Sequence, residues 1–379
     1  MIHSPGILLT ILAFALVVGP LVFVHELGHY FAGRVFGIKA DAFSIGFGRR
    51  IAGFTDKRGT RWQIGWLPLG GYVRFAGDMN PASVPSAEWL ALPSEERNRT
   101  FQAKPVWQRA VVVAAGPIVN FAVAILILAG FAIAYGDVRM APVVRATVPG
   151  GAAARAGLRA GDRIVSIGGR SIATFDDISR YVSIRGGDAV AIDLIRAGHP
   201  TAVNATIGID VERDRFGNEA RIGRLGIEGG LPVATPVGVF EAPGVAIRRV
   251  GDIVSVTVET LGQVISGRRS VKELGGPVKI AQVSGQQLAL GPDALVFLIA
   301  LVSINLGFIN LLPVPLLDGG HLLFYAIEAI RRRPLDPAVQ EWAFRGGLAA
   351  ILALMLVVTF NDLSSVGLWK HISGLIGPG

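Results

Sequence analysis

Four long apolar runs punctuate the chain: Ile7 to Phe36, Ala110 to Ala134, Ala294 to Leu317, and Gly346 to about Val366. Each meets or approaches the ~20 apolar residues that a helix needs to cross a bilayer. A fifth stretch, 243–266, sets apolar positions against Arg248, Arg249, Asp252 and Glu259 at helical spacing. That pattern predicts an amphipathic helix on the outer membrane surface in preference to another span. The expected fold is a polytopic α-helical membrane protein with about four transmembrane helices. Its expected divisions are a first helix over 1–36, a cytoplasmic loop over 37–109 and a second helix over 110–135. A compact module over 141–208 and an outer segment with amphipathic helices over 209–293 follow. A third helix over 294–318 with an unwound end, a cytoplasmic loop over 319–345 and a fourth helix over 346–366 complete the chain.

Composition agrees with the pattern. Of 379 residues, 51% are hydrophobic and 17% charged, and the mean hydropathy is +0.52, too apolar for a soluble chain of this length. The absence of cysteine excludes disulfides and thiolate zinc sites, so any metal must rest on His, Asp or Glu. The net charge of +8 comes from Arg residues scattered beside apolar spans, without the interleaved aromatics of a nucleic-acid surface. No nucleic-acid partner is expected. Arg34, Lys39, Arg49 and Arg50 follow the first run, and Arg331, Arg332 and Arg333 lie between the third and fourth. Both clusters place 37–109 and 319–345 in the cytoplasm and 136–293 outside. The first run has no Lys or Arg before it, so it reads as a retained span and not as a cleaved signal.

Between the first two runs, Trp62 to Phe75 brackets Pro68, Gly70 and Gly71 with β-forming residues, predicting strands and a hairpin. Residues 80–100, rich in Pro, Ser and Glu, read as a loop. In the outer segment, short strands are expected at Val143–Val148, Arg163–Ile167, Ala189–Arg196 and Ala202–Ile207, with a small-residue helix at Gly151–Ala156. The run Gly157-Leu158-Arg159-Ala160-Gly161-Asp162-Arg163-Ile164-Val165 resembles the signature of bacterial PDZ domains. The resemblance implies an extracytoplasmic α/β PDZ module that either adds a peptide or protein ligand as a strand or only blocks access.

The chemistry begins at His25-Glu26-Leu27-Gly28-His29. Helical spacing brings both imidazoles to one face, where they can bind one cation, and Glu26 can reach its water. The short motif also occurs by chance, but ionisable groups inside an apolar span are functional by default. From Ile7 to Val24 a helix rises about 27 Å, which puts His25 near the cytoplasmic end of the bilayer. Two histidines leave a catalytic zinc one protein ligand short. Asp318, in Asn310-Leu311-Leu312-Pro313-Val314-Pro315-Leu316-Leu317-Asp318-Gly319-Gly320-His321, is favoured because a carboxylate completing two histidines is a known hydrolytic set. His321 competes, with a structural or supporting role as its other reading. Pro313 and Pro315 cannot sustain a helix, so the third span should unwind there.

Taken together, His25–His29, Phe43–Gly48, Pro68–Val73, Ala115–Phe121, the Gly157 run and Asn310–Gly320 are similar to the site-2 proteases, and among them to the regulator-of-sigma-E protease group. The resemblance implies one Zn2+ per chain held by His25, His29 and Asp318, and Glu26 as catalytic base. Asn310 would hold substrate, and Gly70, Gly71, Tyr72, Val73, Arg74 and Phe75 would form a membrane-dipping edge strand that pairs with unwound substrate. Substrates would be single-span membrane proteins, such as a pre-trimmed anti-sigma factor or remnant signal peptides, met among the lipids of a bacterial inner membrane. Enterobacterial members carry two PDZ domains, whereas one is found here. The rival readings are a PDZ-bearing membrane scaffold, another integral-membrane zinc peptidase and a transporter. The intact Glu26 opposes the first, the Pro-rich Asp318 run the second, and the lack of a repeat relating the halves the third.

Overall fold

The computed structural model describes residues 6–77, 93–213, 219–267 and 275–365. Among them, four helices are long and apolar enough to cross a membrane: Ile7–Val35, Val106–Tyr135, Pro292–Leu311 and Ala338–Phe360. The chain divides into two compact units, one of residues 1–128 with 275–360 and one of 129–274 with 361–379.

In the first unit, α1 (Ile7–Val35) leads into β1 (Ala40–Thr55) and β2 (Arg61–Phe75), which pair antiparallel. The closing turn spans 56–60, where the Asp56 carboxylate accepts the amides of Arg58 and Thr60, both at 2.9 Å. It therefore does not fall at Pro68–Gly71, where the sequence suggested a hairpin. The register explains the difference. Ala42 to Ile45 stand opposite Arg61 to Ile64 on one flank and opposite Gly71 to Arg74 on the other. Gly46, Gly48 and Gly70, at φ of +82°, +82° and +99°, supply bends that side chains resist. The Gly71–Phe75 end is thus paired on one flank only among the described residues. Phe43, Ile38, Tyr30, Phe75 and Phe101 form the core beneath this sheet.

A one-turn helix, α2 (Ser94–Arg97), precedes α3 (Val106–Tyr135). The rest of the loop predicted over 80–100 lies largely outside the described residues. The unit resumes with α7 (Pro277–Leu290), α8 (Pro292–Leu311), α9 (Asp318–Arg331) and α10 (Pro337–Ser365); α4 to α6 belong to the second unit. Two expectations change here. Residues 319–345 are not a loop, because α9 fills most of them and α10 starts at Pro337, well before Gly346. Asp318 does not sit on a frayed end of the third span but opens a helix of its own, because Pro313 and Pro315 end α8 outright.

The second unit carries β3 (Asp137–Arg139), β4 (Ala146–Thr147), α4 (Ala152–Arg155), β5 (Arg163–Ile167), β6 (Arg170–Ser171), α5 (Phe175–Ser183), β7 (Ala189–Arg196) and β8 (His199–Thr206). After these come β9 (Gly208–Arg213), β10 (Glu219–Arg224), β11 (Ile227–Glu228), β12 (Val233–Thr235) and α6 (Ala242–Ile265). A four-stranded sheet runs β6-β5-β7-β8, while β11 pairs β4 and β12 pairs β3. The module does not stop at residue 208, since Leu225, 3% exposed, joins the core of Ile164, Ile167, Ile192 and Leu194. Sequence reading also passed over α5, whose signal was Thr174-Phe175-Asp176-Asp177: Thr174 and Asp177 form a reciprocal capping box.

The helix expected over 243–266 is α6, but its charged stripe is engaged. Asp252 pairs with Arg180 at 2.8 Å, Glu259 pairs with Arg170 at 2.8 Å and Arg185 at 3.4 Å, and Gln263 donates to the Ile184 carbonyl at 2.6 Å. The polar face therefore meets the module, where water was expected.

The Gly157–Val165 signature is a capped turn. Gly157 and Gly161 take φ of +77° and +90°, and Leu158 enters the core. Asp162 is fully buried, accepting Arg196 Nε at 2.8 Å and Nη2 at 2.7 Å and the Arg159 amide at 2.8 Å. The Arg196 guanidinium, helped by that amide, holds the Asp162 carboxyl below the usual carboxylate range. A depressed folded pKa gives stability that is present above the unfolded value of about 3.9 and is lost as pH falls through the lower folded value. Asp162→Asn should lower the module's resistance to pulse proteolysis in urea at pH 7, by about 1–3 kcal/mol. The gap from wild type should narrow below pH 4, and equal midpoints at pH 7 would contradict this account.

Candidate metal centre and active site

α1 places His25, Glu26 and His29 at exposures of 7%, 7% and 9%. Their positions follow from how closely α3 approaches. A Cβ on Gly28 would lie 2.6 Å from the Ala115 carbonyl oxygen, and one on Gly116 would overlap His29 Nε2 and sit 2.9 Å from His25 Cε1. Only glycine permits these contacts, in the manner of small-residue helix crossings in membranes. α8 crosses the same region, where a Cβ on Gly307 would be 3.1 Å from the Pro117 carbonyl.

Each imidazole is oriented through its Nδ1. His29 Nδ1 lies 2.9 Å from the Val112 carbonyl. A carbonyl only accepts, so Nδ1 carries the proton and Nε2 keeps a lone pair. His25 Nδ1 meets the side-chain amide of Asn120 at 3.1 Å. Asn120 is fully buried, and its Oδ1 has no hydrogen-bond partner. Turned end for end, the same-shaped amide accepts His25 Nδ1–H through that orphan oxygen and gives His25 the tautomer of His29. Ser303 donates to the Asn120 carbonyl at 2.7 Å, tying α8 to the same turn. The sequence signal for this residue is a polar side chain inside the apolar run 110–134.

The third group comes from α9. Between α8 and α9, Leu316 takes a φ of +83°, a conformation that costs a β-carbon residue about 1–3 kcal/mol. Gly319 and Gly320 back against the carbonyls of Leu311, Leu312 and Val314 where a Cβ would overlap. Asp318 thereby opens α9, where the positive end of the helix dipole favours a carboxylate. α9 is itself tethered: Glu328 pairs with Arg109 of α3 at 2.8 Å, both largely buried, and that guanidinium lies 4.9 Å above the Tyr325 ring.

His25 Nε2, His29 Nε2 and Asp318 Oδ2 form a triangle with edges of 3.2, 3.3 and 3.5 Å. A tetrahedral cation with ligand bonds of about 2.0–2.1 Å spaces its donors roughly 3.3 Å apart. Asp318 Oδ2 is buried and has no hydrogen bond of its own. The donor set thus fits a tetrahedral divalent metal with one coordination position left for water. His321, one turn along α9, packs its ring 5.1 Å from Phe344 and 6.4 Å from Tyr325 and falls outside the converging group.

A cavity of about 650 Å3 opens on this triangle. Of the residues singled out by sequence, His25, Glu26, His29, Gly70, Gly71, Tyr72, Val73, Phe75, Asn310, Asp318 and His321 line it. Arg74 does not and is exposed. Phe75 is core, stacked 5.6 Å from Phe101. Tyr72 stacks on Phe47 at 6.0 Å and accepts from Gln63 at 2.8 Å. A Cβ on Gly71 would lie 2.9 Å from Glu26 Cγ, and the Val73 amide lies within electrostatic reach of the Glu26 carboxylate. The open edge of β2 and the carboxylate are therefore in direct contact.

Two histidines at helical spacing, an adjacent glutamate and a distant aspartate, gathered in a cavity among membrane-crossing helices, define a membrane-embedded hydrolase site. The profile of peptidase family M50 matches residues 13–354. The chain belongs to that family, the site-2 protease family, and is a protease. It is 46% identical over 361 residues to an Agrobacterium fabrum protein carrying a zinc-metalloprotease name, covering 94% of this chain and 96% of that protein. A similarly named Rhizobium meliloti protein is 43% identical over 360 residues, covering 94% and 96%. The metalloprotease MmpA of Caulobacter vibrioides is 37% identical over 399 residues, covering 98% and 99%.

Gly116→Ala should push α3 away from His25 and His29 of α1. Metal analysis of the purified protein should show at least a tenfold loss of affinity, on the order seen when support around metal ligands fails, with helical content retained. Full metal occupancy in that variant would refute the packing argument.

Proposed function

We propose that this chain is an intramembrane zinc endopeptidase in which His25, His29 and Asp318 hold one Zn2+ and Glu26 is the general base. The carrying observation is the triangle of Nε2, Nε2 and Oδ2 with edges of 3.2–3.5 Å beside a buried glutamate. The bound ion supplies Lewis-acid activation of water and of the scissile carbonyl. Glu26 takes the proton from the attacking water and delivers it to the leaving amine nitrogen, so that one peptide C–N bond is exchanged for a C–O bond. Val112 and Asn120 keep both imidazole lone pairs on the metal side throughout. Glu26→Gln should bind metal as wild type does and lose cleavage by at least 100-fold, because an amide of the same shape cannot accept the proton. Turnover near wild type would remove Glu26 from the role.

Substrates are single-span membrane proteins, by family likeness a pre-trimmed anti-sigma factor or remnant signal peptides, cut in a bacterial inner membrane near its cytoplasmic face. A helical substrate hides its peptide edges and must be unwound first. The one-sided flank at Gly71–Phe75 offers strand addition, with the half-buried Asn310 amide, which has no side-chain partner among the described residues, holding the opposite side. Because the Val73 amide reaches Glu26, it faces the open flank, and the amides of Tyr72 and Arg74 face β1. Val73→Pro therefore removes an open-flank donor while sparing the pairing with β1. It should cut proteolysis of a helical substrate at least tenfold, with metal content unchanged, and substrates carrying Gly or Pro beside the cut site should recover part of the loss. An equal loss for both substrates would mean that the amide serves only Glu26.

The second unit acts as a PDZ module that limits which substrates enter, with a peptide or protein terminus as its potential ligand. Asp137 and Thr235 are paired across β3 and β12, so excision between them leaves adjacent ends. That deletion should admit longer substrates and keep cleavage of short ones, and loss of both would count against the restraining role.

A further inference from the structure

Beyond the active site, a cavity of about 330 Å3 at the C-terminal end of α1 is lined by Arg34, Gly37, Ile38, Lys39, Arg58 and Arg99. We propose that this four-cation cavity binds the phosphodiester headgroup of an anionic phospholipid.

The cations come from three separate segments that the fold holds together. The end of α1 brings Arg34 and Lys39, the β1–β2 turn brings Arg58, and the residues after α2 bring Arg99. The supports are explicit: Asp56 folds the turn under Arg58, and the Lys39 amide donates to the Arg99 carbonyl at 2.9 Å. The final carbonyls of α1 are already bonded by the amides of Phe36, Gly37 and Ile38, which leaves the side-chain cations as the polar groups free to face the cavity. Arg34 Nε is buried without a hydrogen-bond partner, which a folded protein rarely tolerates unless a ligand supplies the acceptor.

Two carboxylates adjoin the cluster. Asp41 pairs with Lys39 at 3.4 Å. Asp56 lies within electrostatic reach of Arg34, but its oxygens are taken by the amides of Arg58 and Thr60 and the Trp62 indole. Four cations against two carboxylates leave net positive charge around a concave site, and guanidinium groups match phosphate oxygens in geometry.

The surroundings favour a lipid over a free phosphate. Phe31 and Val35, on the same last turns of α1 as Arg34, are 59% and 80% exposed, and Trp107, edge-on to Phe36 at 5.4 Å, is 59% exposed. Such apolar and aromatic surface beside a basic cluster at the end of a spanning helix suits acyl chains below a headgroup. A soluble anion has no use for it.

The test is native mass spectrometry of the full chain released from nanodiscs of equal parts phosphatidylglycerol and phosphatidylcholine. Wild type should carry phosphatidylglycerol in about fivefold preference, falling towards parity in Arg34→Gln and in the Arg58→Gln/Arg99→Gln pair, whose side chains are exposed and have no bonding partner among the described residues. The pair Arg49→Gln/Arg61→Gln removes the same charge from the same region outside the cavity and should keep the preference. Preference retained in both cavity variants, or lost equally in the control pair, overturns the proposal. In a second arm, inorganic phosphate is titrated into protein in purely phosphatidylcholine nanodiscs. Saturable phosphate binding without any lipid preference would assign the cavity to a free anion and overturn the lipid reading.

Discussion

The approach of α3 to α1 at Gly28 and Gly116 sets the geometry on which the catalytic unit depends. Within a bilayer, apolar helices gain little from hiding from each other, so close association needs backbones that fit. Here the missing side chains do more than allow packing. They put the Val112 carbonyl and the Asn120 amide within reach of the imidazole Nδ1 atoms, and the rings then have one orientation each. A larger residue at either glycine would turn a fixed pair of lone-pair donors into two loosely held rings.

The other half of the centre is located by constraints of a different kind. Asp318 is reached through a left-handed leucine, two prolines and two glycines packed on carbonyls, and α9 is held to α3 by the Arg109–Glu328 pair. Breaking such a pair by removing one member typically costs 3–5 kcal/mol, because the remaining charge is stranded. The open end of β2 is joined to the same centre through the contact of Gly71 and Val73 with Glu26. On the proposed function, pairing of a substrate strand at that edge and placement of the base are consequently not independent events.

Much of this was legible in the sequence because the signals are local. Apolar runs mark the spans, His25-x-x-x-His29 follows the helical period, and Pro313 and Pro315 stop a helix wherever they occur. The Gly157–Asp162 run carried its turn for the same reason. What stayed hidden depends on partners distant along the chain. The two-sided pairing of Ala42–Ile45 cannot be read from alternation alone, which is why the turn was sought at Pro68–Gly71. That Phe75 belongs to the core is hidden too, because nothing local says that Phe101 stacks upon it. The charged stripe of α6 looked solvated because Arg170, Arg180 and Arg185 lie in another element. Asn120 was visible as a polar residue in an apolar run, but its purpose appears only when α1 is laid beside it.

The three metal-fitting donors also stand far apart along the chain, two in α1 and one in α9, so that α1 is made well before the carboxylate that joins it. At the ~5–20 residues per second of translation, the nascent chain spends tens of seconds in the membrane with its histidines placed and its carboxylate not yet made. On the proposed function, Glu26 has no complete centre to serve throughout that interval, so the newborn enzyme is silent. Separating the ligands along the chain thus gives the effect of a pro-segment with nothing to cut away, and activity arrives only once α9 has docked.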